Sequence, residues 1–435
     1  MGTLGVVDIG SHKIKVALFS IDESGTPEIL SIGEEVSKGI EKGSILKPSS
    51  AKKLIRKAIK IAEEGAGTEA ESYYILISHP SLKSSNEKAF LDFKGELVEI
   101  DREHLDELRR QVEETAKEPT FKIIHIIPRY YILDGEKHYE PEDLVASRIE
   151  AEYHVVKLPL ATAKNTERLL TSLKLLVNGN LFGAYTASLA VLDEEDLESN
   201  ILLVDLGHTT TSYVFFKDGA PLYSGVVDIG GKDITEEIAK FFRISLAEAE
   251  RIKHDYVTAL RELVSEEEEI VARDKEGNEV SVKLSDLAAI TEQVLSEIFG
   301  YILEELYRKG VKLEEEIEEI VLVGGGAHLK GIKDFVKSLG FPVRLGIPKN
   351  ISSIHDKAMD PQFAPLVGVA AYLSQQDEIP SESDLPFGSA LGDFFKEKDA
   401  GVDLGDLLET EEVEKKPKGF FGRIAAFFKN IFSGD

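Results

Sequence analysis

The 435-residue sequence predicts an α/β protein in which one unit of three strands and a helix occurs twice, about half a chain apart. Three observations predict it. Short apolar runs closed by glycine turns alternate with segments whose apolar residues recur every three and four positions. Val7-Asp8-Ile9-Gly10-Ser11 reappears as Val204-Asp205-Leu206-Gly207-His208, and each copy leads into an apolar run ending in phenylalanine (Phe19, Phe216). The order of elements that follows is also the same. That order carries more weight than the short match, because Asp-aliphatic-Gly is common.

Taken along the chain, Gly5–Gly10, Ile14–Ile21 and Pro27–Gly39 read as strands. Ser49–Glu64 reads as a helix, with Leu54, Ile55, Ala58, Ile59 and Ala62 on one face. Tyr73–Ser78 returns to strand. Ser81–Val156 has the texture of an inserted α+β segment: strands at Ala89–Phe93, Phe121–Pro128 and Arg148–Val156 around a charged helix, Arg102–Thr115. The second unit follows as strands Asn200–Asp205, Ser212–Lys217 and Pro221–Ile229 and helix Ile234–Phe242. A mostly helical insertion spans 232–318, with a polar hairpin at Asp274–Asn278. Ile320–Val323 is a buried strand before three glycines, with a helix expected from Leu329. Between Asp377 and Glu414, 13 acidic residues stand against Lys396 and Lys398, too few apolar groups to offset ordering, so a flexible tether is expected. The division read from this is 1–80 with 158–192 as one lobe and 81–157 inserted in it. The second lobe is 193–231 with 319–374, carrying insertion 232–318, and then come a linker (375–414) and a terminal helix (415–435).

Composition excludes several classes. With 51 basic and 79 acidic residues the net charge is −28, the opposite of a nucleic-acid footprint. Cysteine is absent, which removes disulfides, thiolate metal sites and cysteine nucleophiles. No apolar run reaches the ~18 residues of a membrane span, and no leader pattern opens the chain. A soluble cytoplasmic protein is expected. Two methionines, no tryptophan and abundant Glu, Lys and Ile lean toward growth at high temperature.

An aspartate ending a buried strand, followed by Gly and a small turn residue, brings backbone N–H groups up to an oxyanion. Asp8-Ile9-Gly10-Ser11-His12-Lys13 offers this, with Lys13 as a point charge, and Asp205-Leu206-Gly207-His208-Thr209-Thr210 offers a second. Facing each other, they would clamp a phosphate chain while Asp8 and Asp205 hold Mg²⁺ through its waters. Either turn alone is an ordinary hairpin. Gly324, Gly325, Gly326 and Ala327 would let the backbone approach a base and its α-phosphate. Glu250 and Lys253, three apart on a helix, could grip ribose hydroxyls or simply pair with each other. Gly225–Lys232 mimics a Walker A loop, but Val226 and Asp233 occupy its required Gly and Ser/Thr positions. Asp228-Ile229-Gly230-Gly231 reads instead as a close packing point. The ten histidines show no metal-ligand spacing, so no metal site in the protein itself is assigned.

The last 21 residues are basic on an acidic chain: Lys415, Lys416, Lys418, Arg423 and Lys429 against Asp435. At ~100° per residue, Phe420, Phe421, Ile424, Phe427, Phe428, Ile431 and Phe432 share one arc, with Arg423 and Lys429 opposite. This is the pattern of a helix lying in an anionic membrane surface. A helix docking on a partner is the alternative.

Together these residues resemble the actin-like ATPase superfamily, with phosphate loops at Asp8–Lys13 and Asp205–Thr211, an adenosine loop at Gly324–Ala327, and a small-residue helix at Pro365–Ala371. Within it the chain resembles the FtsA family, through Gly39-Ile-Glu-Lys-Gly43-Ser-Ile45, through His125-Ile-Ile-Pro128-Arg-Tyr-Tyr-Ile-Leu-Asp134-Gly with Ser147-Arg148-Ile-Glu-Ala, and through the tether and tail. The resemblance implies a duplicated actin-like core of two lobes with two inserted subdomains, binding ATP with Mg²⁺ and polymerising head to tail. It implies that FtsZ is held by its C-terminal peptide on 232–318, other division proteins are recruited, and the protein sits peripherally on the inner face of the membrane at the division site. Asp205 would position Mg²⁺ and water. His208 and Thr209 replace glycines usual in the second loop, so turnover would be slow at most. Asp143 replaces a usual Gly. Two rivals share the phosphate loops, a small-molecule kinase and a PilM-type pilus assembly protein, and neither family has a general use for such a tail. A chaperone of the superfamily would need a β-rich peptide-binding domain, which is absent.

Overall fold

The computed structural model describes residues 2–21, 27–349, 352–353 and 356–374. The expected tether (375–414) and terminal helix, with every membrane-facing and basic residue named for it, lie outside the described residues. In the first lobe β1 (Thr3–Ile9), β2 (Lys13–Ile21) and β3 (Pro27–Val36) run antiparallel in succession. Then α1 (Pro48–Ala66) crosses over and β4 (Ser72–Ile77) returns parallel to β1. The α1 helix starts on Pro48 and stops at Gly67, which is left-handed (φ 69°), and it buries Ala51, Ile55, Ala58, Ile59 and Ala62. Strand alternation sends Val7, Ile9, Ile14, Val16 and Leu18 toward α1, and Val6, Ala17 and Phe19 to the other face. A strand covered on both faces reads as a continuous apolar run, as β1 does.

The chain then leaves this sheet for an inserted one built from β5 (Lys83–Asp92), α2 (Arg102–Ala116), β6 (Phe121–Leu133) and β7 (Arg148–Pro159). Its strand order is Glu136–His138, β6, β7, β5. β6 runs past Pro128, where the sequence reading ended it. The register against β7 shifts between Glu152 and Tyr153, beside the Tyr153–Pro128 pair, and absorbs the missing N–H. Asp143 takes φ 64°, a left-handed position that Asp tolerates in place of Gly. This sheet is moored to the second lobe by polar bonds. His154 Nδ1 meets Asn86 Oδ1 at 2.8 Å and His154 Nε2 meets Ser224 Oγ at 2.7 Å, while Asn86 donates to the Leu222 carbonyl at 3.0 Å.

The first lobe closes with α3 (Leu160–Thr171), β8 (Val177–Phe182) and α4 (Gly183–Val191). The second lobe repeats the plan with β9 (Ile201–Leu206), β10 (Thr211–Lys217), β11 (Ala220–Val227) and α5 (Gly231–Phe242). It continues through α6 (Leu246–Tyr256), the hairpin of β12 (Glu269–Arg273) and β13 (Glu279–Lys283), and α7 (Leu284–Arg308). It ends with β14 (Glu319–Val323), α8 (Ile332–Ser338), β15 (Val343–Leu345) and α9 (Ala364–Ser374). The sheet orders are β8-β4-β1-β2-β3, with Ser352–Ser353 beyond β3, and β15-β14-β9-β10-β11, so the duplication holds at the level of topology. The hairpin expected at 274–278 forms, with Asp274 Oδ1 accepting from the N–H groups of Glu276 and Asn278.

One hydrophobic cluster joins the lobes. It takes Val6 and Phe19 from the first sheet, Leu203 and Val214 from the second, and Ala187, Val191, Leu366 and Val367 from α4 and α9 between them. At the crossing a Cβ on Gly368 would lie 1.6 Å from the Thr186 carbonyl oxygen, so only glycine allows this approach. Thr186 Oγ1 donates to the Pro365 carbonyl at 2.7 Å.

Candidate functional site

The two Asp-Gly turns face each other across the cleft between the sheets. Ile9 pairs with Ile14 and Leu206 with Thr211, so the turns are 10–13 and 207–210, four residues each. Their tightness is the same: a Cβ on Gly10 would lie 2.4 Å from the Lys13 carbonyl oxygen, and one on Gly207 2.6 Å from that of Thr210. Ser11 Oγ and Thr209 Oγ1 are 2.7 Å apart, and the rings of His12 and His208 are 4.9 Å apart. Matching Gly10 to Gly207 makes Ser11 the counterpart of His208 and His12 that of Thr209. These two contacts are therefore mates about an approximate two-fold axis.

Behind the turns sit the carboxylates of Asp8 and Asp205. Register places Lys15 opposite Asp8, with its ammonium 3.7 Å from Asp8 Oδ2 and donating to the Gln362 carbonyl at 2.7 Å. Burial pushes Asp8 above the ordinary carboxylate value, with Lys15 opposing. Burial likewise pushes Asp205 up to about 6, against the pull of Lys15 and helped by the negative charge of Asp8. Two desolvated carboxylates sharing one lysine are short of positive charge, and a hydrated divalent cation fits that deficit. Lys13, the expected point charge, is paired with Glu34 at 2.9 Å instead. The residue that sequence reasoning passed over is Lys15. Its signal was present, because a four-residue turn after Ile9 makes residue 15 the cross-strand partner of residue 8.

The third glycine loop lies beside the second carboxylate. Asp205 is in register with Val323, and Gly324 (φ 84°) is so close that a Cβ there would lie 2.2 Å from Asp205 Oδ1. Gly325–His328 form one 3₁₀ turn, with Ala327 buried. The following helix begins at Ile332 rather than Leu329, because Gly331 at φ 78° interrupts the path. Lys253 donates to the Gly231 carbonyl, Thr235 Oγ1 and Glu250 Oε2 at 2.9, 2.8 and 2.9 Å. The Glu250–Lys253 pair is thus bonded onto the first turn of α5. The Asp228–Gly231 stretch packs on the second turn as expected, Gly231 N–H donating to the Gly207 carbonyl at 3.0 Å and Lys232 N–H to that of His208 at 2.6 Å.

The lobes are also latched in front of the turns. The hairpin of Ile40–Glu41 and Ser44–Ile45 reaches across, its Lys42 N–H donating to Thr209 Oγ1 at 3.1 Å and its Lys42 ammonium 2.7 Å from Asp228 Oδ1. Glu41 pairs with Lys232. No sequence pattern indicated these partners, since they lie on different lobes. The fold makes a further gathering that spacing had hidden. One ligand atom each from His12, His208 and Glu250 lie within 4.8 Å of one another. Burial lowers both imidazoles below the ordinary histidine value, His208 to about 4, and nearby lysines add to this, so both rings are neutral at pH 7.

Residues 202–368 match the family model described as Cell division protein FtsA, and residues 80–157 match that of the SHS2 domain inserted in FtsA, together more than half of the chain. The chain is 28% identical over 378 residues to the Cell division protein FtsA of Borreliella burgdorferi, covering 86% of this chain and 91% of that one. Against the protein of the same name in Pseudomonas aeruginosa it is 27% identical over 384 residues, 87% and 91% of the two chains. Among solved structures, the PilM–PilN type IV pilus biogenesis complex matches with a TM-score of 0.57 at 18% identity, covering 86% of this chain and 99% of that one, a likeness of fold.

Proposed function

The chain belongs to the FtsA family of actin-like cell-division proteins, and from that premise we propose that it binds ATP with Mg²⁺ between its lobes, polymerises, and tethers FtsZ to the cytoplasmic membrane. The observation that carries the nucleotide reading is the pair of like turns with Asp8, Asp205 and Lys15 behind them. Turn amides at Gly10–Lys13 and Gly207–Thr210 would receive the phosphate oxygens, with Ser11, His12, His208 and Thr209 at their rims. Asp8 and Asp205 would hold Mg²⁺ through water, and the ion supplies charge neutralisation of the phosphates. Gly324–Ala327 would border the base, and Glu250 and Lys253 on α6, docked against the first turn of α5, would face the ribose hydroxyls. Asp205→Ala should abolish Mg·ATP binding, and unchanged affinity would overturn the second-loop assignment.

Polymerisation through the inserted segments and the seat of the FtsZ C-terminal peptide on 232–318 are implied by family. The membrane arm rests on sequence: among the described residues no helix is long and apolar enough to cross a membrane, and the Phe-rich arc at 420–432 fits a surface-lying helix. One such helix binds lipid modestly, and a filament presenting many multiplies the attachment. The test is flotation with anionic liposomes, ATP and Mg²⁺, comparing the full chain with one ending at Glu414. Tail-dependent flotation supports the tether. If neither form floats, 415–435 becomes a partner-binding helix and the membrane tether falls. Phe427→Glu should abolish flotation.

A further inference from the structure

We propose that His12, His208 and Glu250 form a binding site for a divalent transition-metal ion of the kind imidazole favours, Zn²⁺ or Co²⁺, separate from the Mg²⁺ expected at Asp8 and Asp205. Each ligand comes from a different element: the β1–β2 turn, the β9–β10 turn and α6. Because one imidazole belongs to each lobe, the ion bridges them.

The donor set is the first argument. Two imidazoles and a carboxylate suit ions of this class, whereas Mg²⁺ takes oxygen ligands and sheds water reluctantly. Distance is the second. A tetrahedral ion with bonds of ~2.0–2.1 Å holds its ligand atoms ~3.4 Å apart, and the three atoms already lie within 4.8 Å of one another, a gap that side-chain rotation closes. Satisfaction is the third. Neither ring nitrogen of His12 or His208 has a hydrogen-bond partner among the described residues; His12 is exposed, His208 half-buried, and the two rings lie 4.9 Å apart. Glu250 makes its bonds to Lys253 and Thr235 through Oε2, which leaves Oε1 for the ion. Lys253, 15% exposed and bonded on that same carboxylate, is the charge an ion must tolerate; its three hydrogen bonds hold it on the α5 side. Three protein ligands leave a coordination position for water or an anion oxygen, the arrangement of an open site rather than a sealed structural one.

The site shares His12 and His208 with the rims of the proposed phosphate cleft, so ion and nucleotide draw on the same two turns, and the experiment separates them. Untagged full-length chain, stripped with a chelator, is titrated with Co²⁺ while the visible d–d absorption of the bound ion is followed. One Co²⁺ per chain is expected, with a band that Zn²⁺ removes and excess Mg²⁺ leaves in place. His12→Gln and His208→Asn should each weaken Co²⁺ by at least the ~10–100-fold that loss of a supporting contact costs at metal sites. Glu250→Gln, outside both turns, should weaken it too, and serves if either histidine variant fails to fold by circular dichroism. Asp205→Ala should lose Mg·ATP and keep the Co²⁺ band. Absence of a band, displacement by Mg²⁺, or a band unchanged in the histidine double variant overturns the site.

Discussion

Asparagine in place of Asp205 removes a charge that the fold holds at a cost, and the structure sets the size of that cost. Burial and the nearby Asp8 carboxylate raise Asp205 from 3.8 to about 6. A difference of about two pH units is worth ~3 kcal/mol at 1.36 kcal/mol per unit. The sign follows from linkage: the folded-state value lies above the unfolded one, so the folded protein is penalised above pH ~6, and the penalty fades as pH falls toward ~4. Asp205→Asn should therefore stabilise the protein, free of nucleotide and Mg²⁺, by ~2–3 kcal/mol at pH 7.5 and by only ~1 kcal/mol at pH 4.5. Urea unfolding at the two pH values measures both numbers. The same variant should lose Mg·ATP, the exchange of stability for function expected of a charged site. A variant no more stable than the parent at pH 7.5, or equally stabilised at both pH values, would refute the reasoning.

Lys15→Gln should weaken a fluorescent ATP analogue about tenfold, ~1.4 kcal/mol, and Lys13→Gln much less; the reverse order would restore Lys13 as the phosphate's charge. Gly368→Ala should cost ~3 kcal/mol or more, because its Cβ meets the Thr186 backbone, while Gly325→Ala, which meets nothing within 4 Å, should stay within ~0.5 kcal/mol; thermal unfolding decides both. Burial lowers His125 and His154 to about 3 each from 6.5, so their stabilisation is complete above pH ~6.5 and lost as pH falls toward 3, ~2 kcal/mol each by pH 5. His154→Gln should flatten that acid slope by about half, and an unchanged slope between pH 7 and 5 would remove His154 from the account.

Much of the frame was legible because strand alternation, helix periodicity and turn chemistry are local. The β1–β2 and β9–β10 turns, α1 and the 274–278 hairpin all fall where residue pattern alone puts them. Asp143 occupies the left-handed position that a family Gly had marked. What escaped was set by register or by contacts between lobes. That Lys15, and not Lys13, faces Asp8 is a matter of cross-strand pairing. The β6 strand outruns Pro128 because a register shift in a neighbouring strand removes the need for its N–H. The latch of Glu41 and Lys42 and the gathering of His12, His208 and Glu250 join residues far apart in the chain, so no spacing rule reaches them.

The crossing of α4 and α9 has a bearing on how such a chain can be cut. Each helix closes its own repeat, and each packs on its twin at the same approximate dyad that relates the two turns. Lobe meets lobe as subunit meets subunit in an isologous homodimer, with the stretch 193–200 as the covalent fusion. The first half has a cluster of its own around α1, but Val6 and Phe19 on one side and Leu203 and Val214 on the other bury into a single shared cluster. A fragment ending at 192 would expose the α4 face that α9 covers, and one beginning at 193 would expose the converse. Produced apart, the halves should aggregate; produced together, they should find each other and rebuild the cleft without a peptide bond between them.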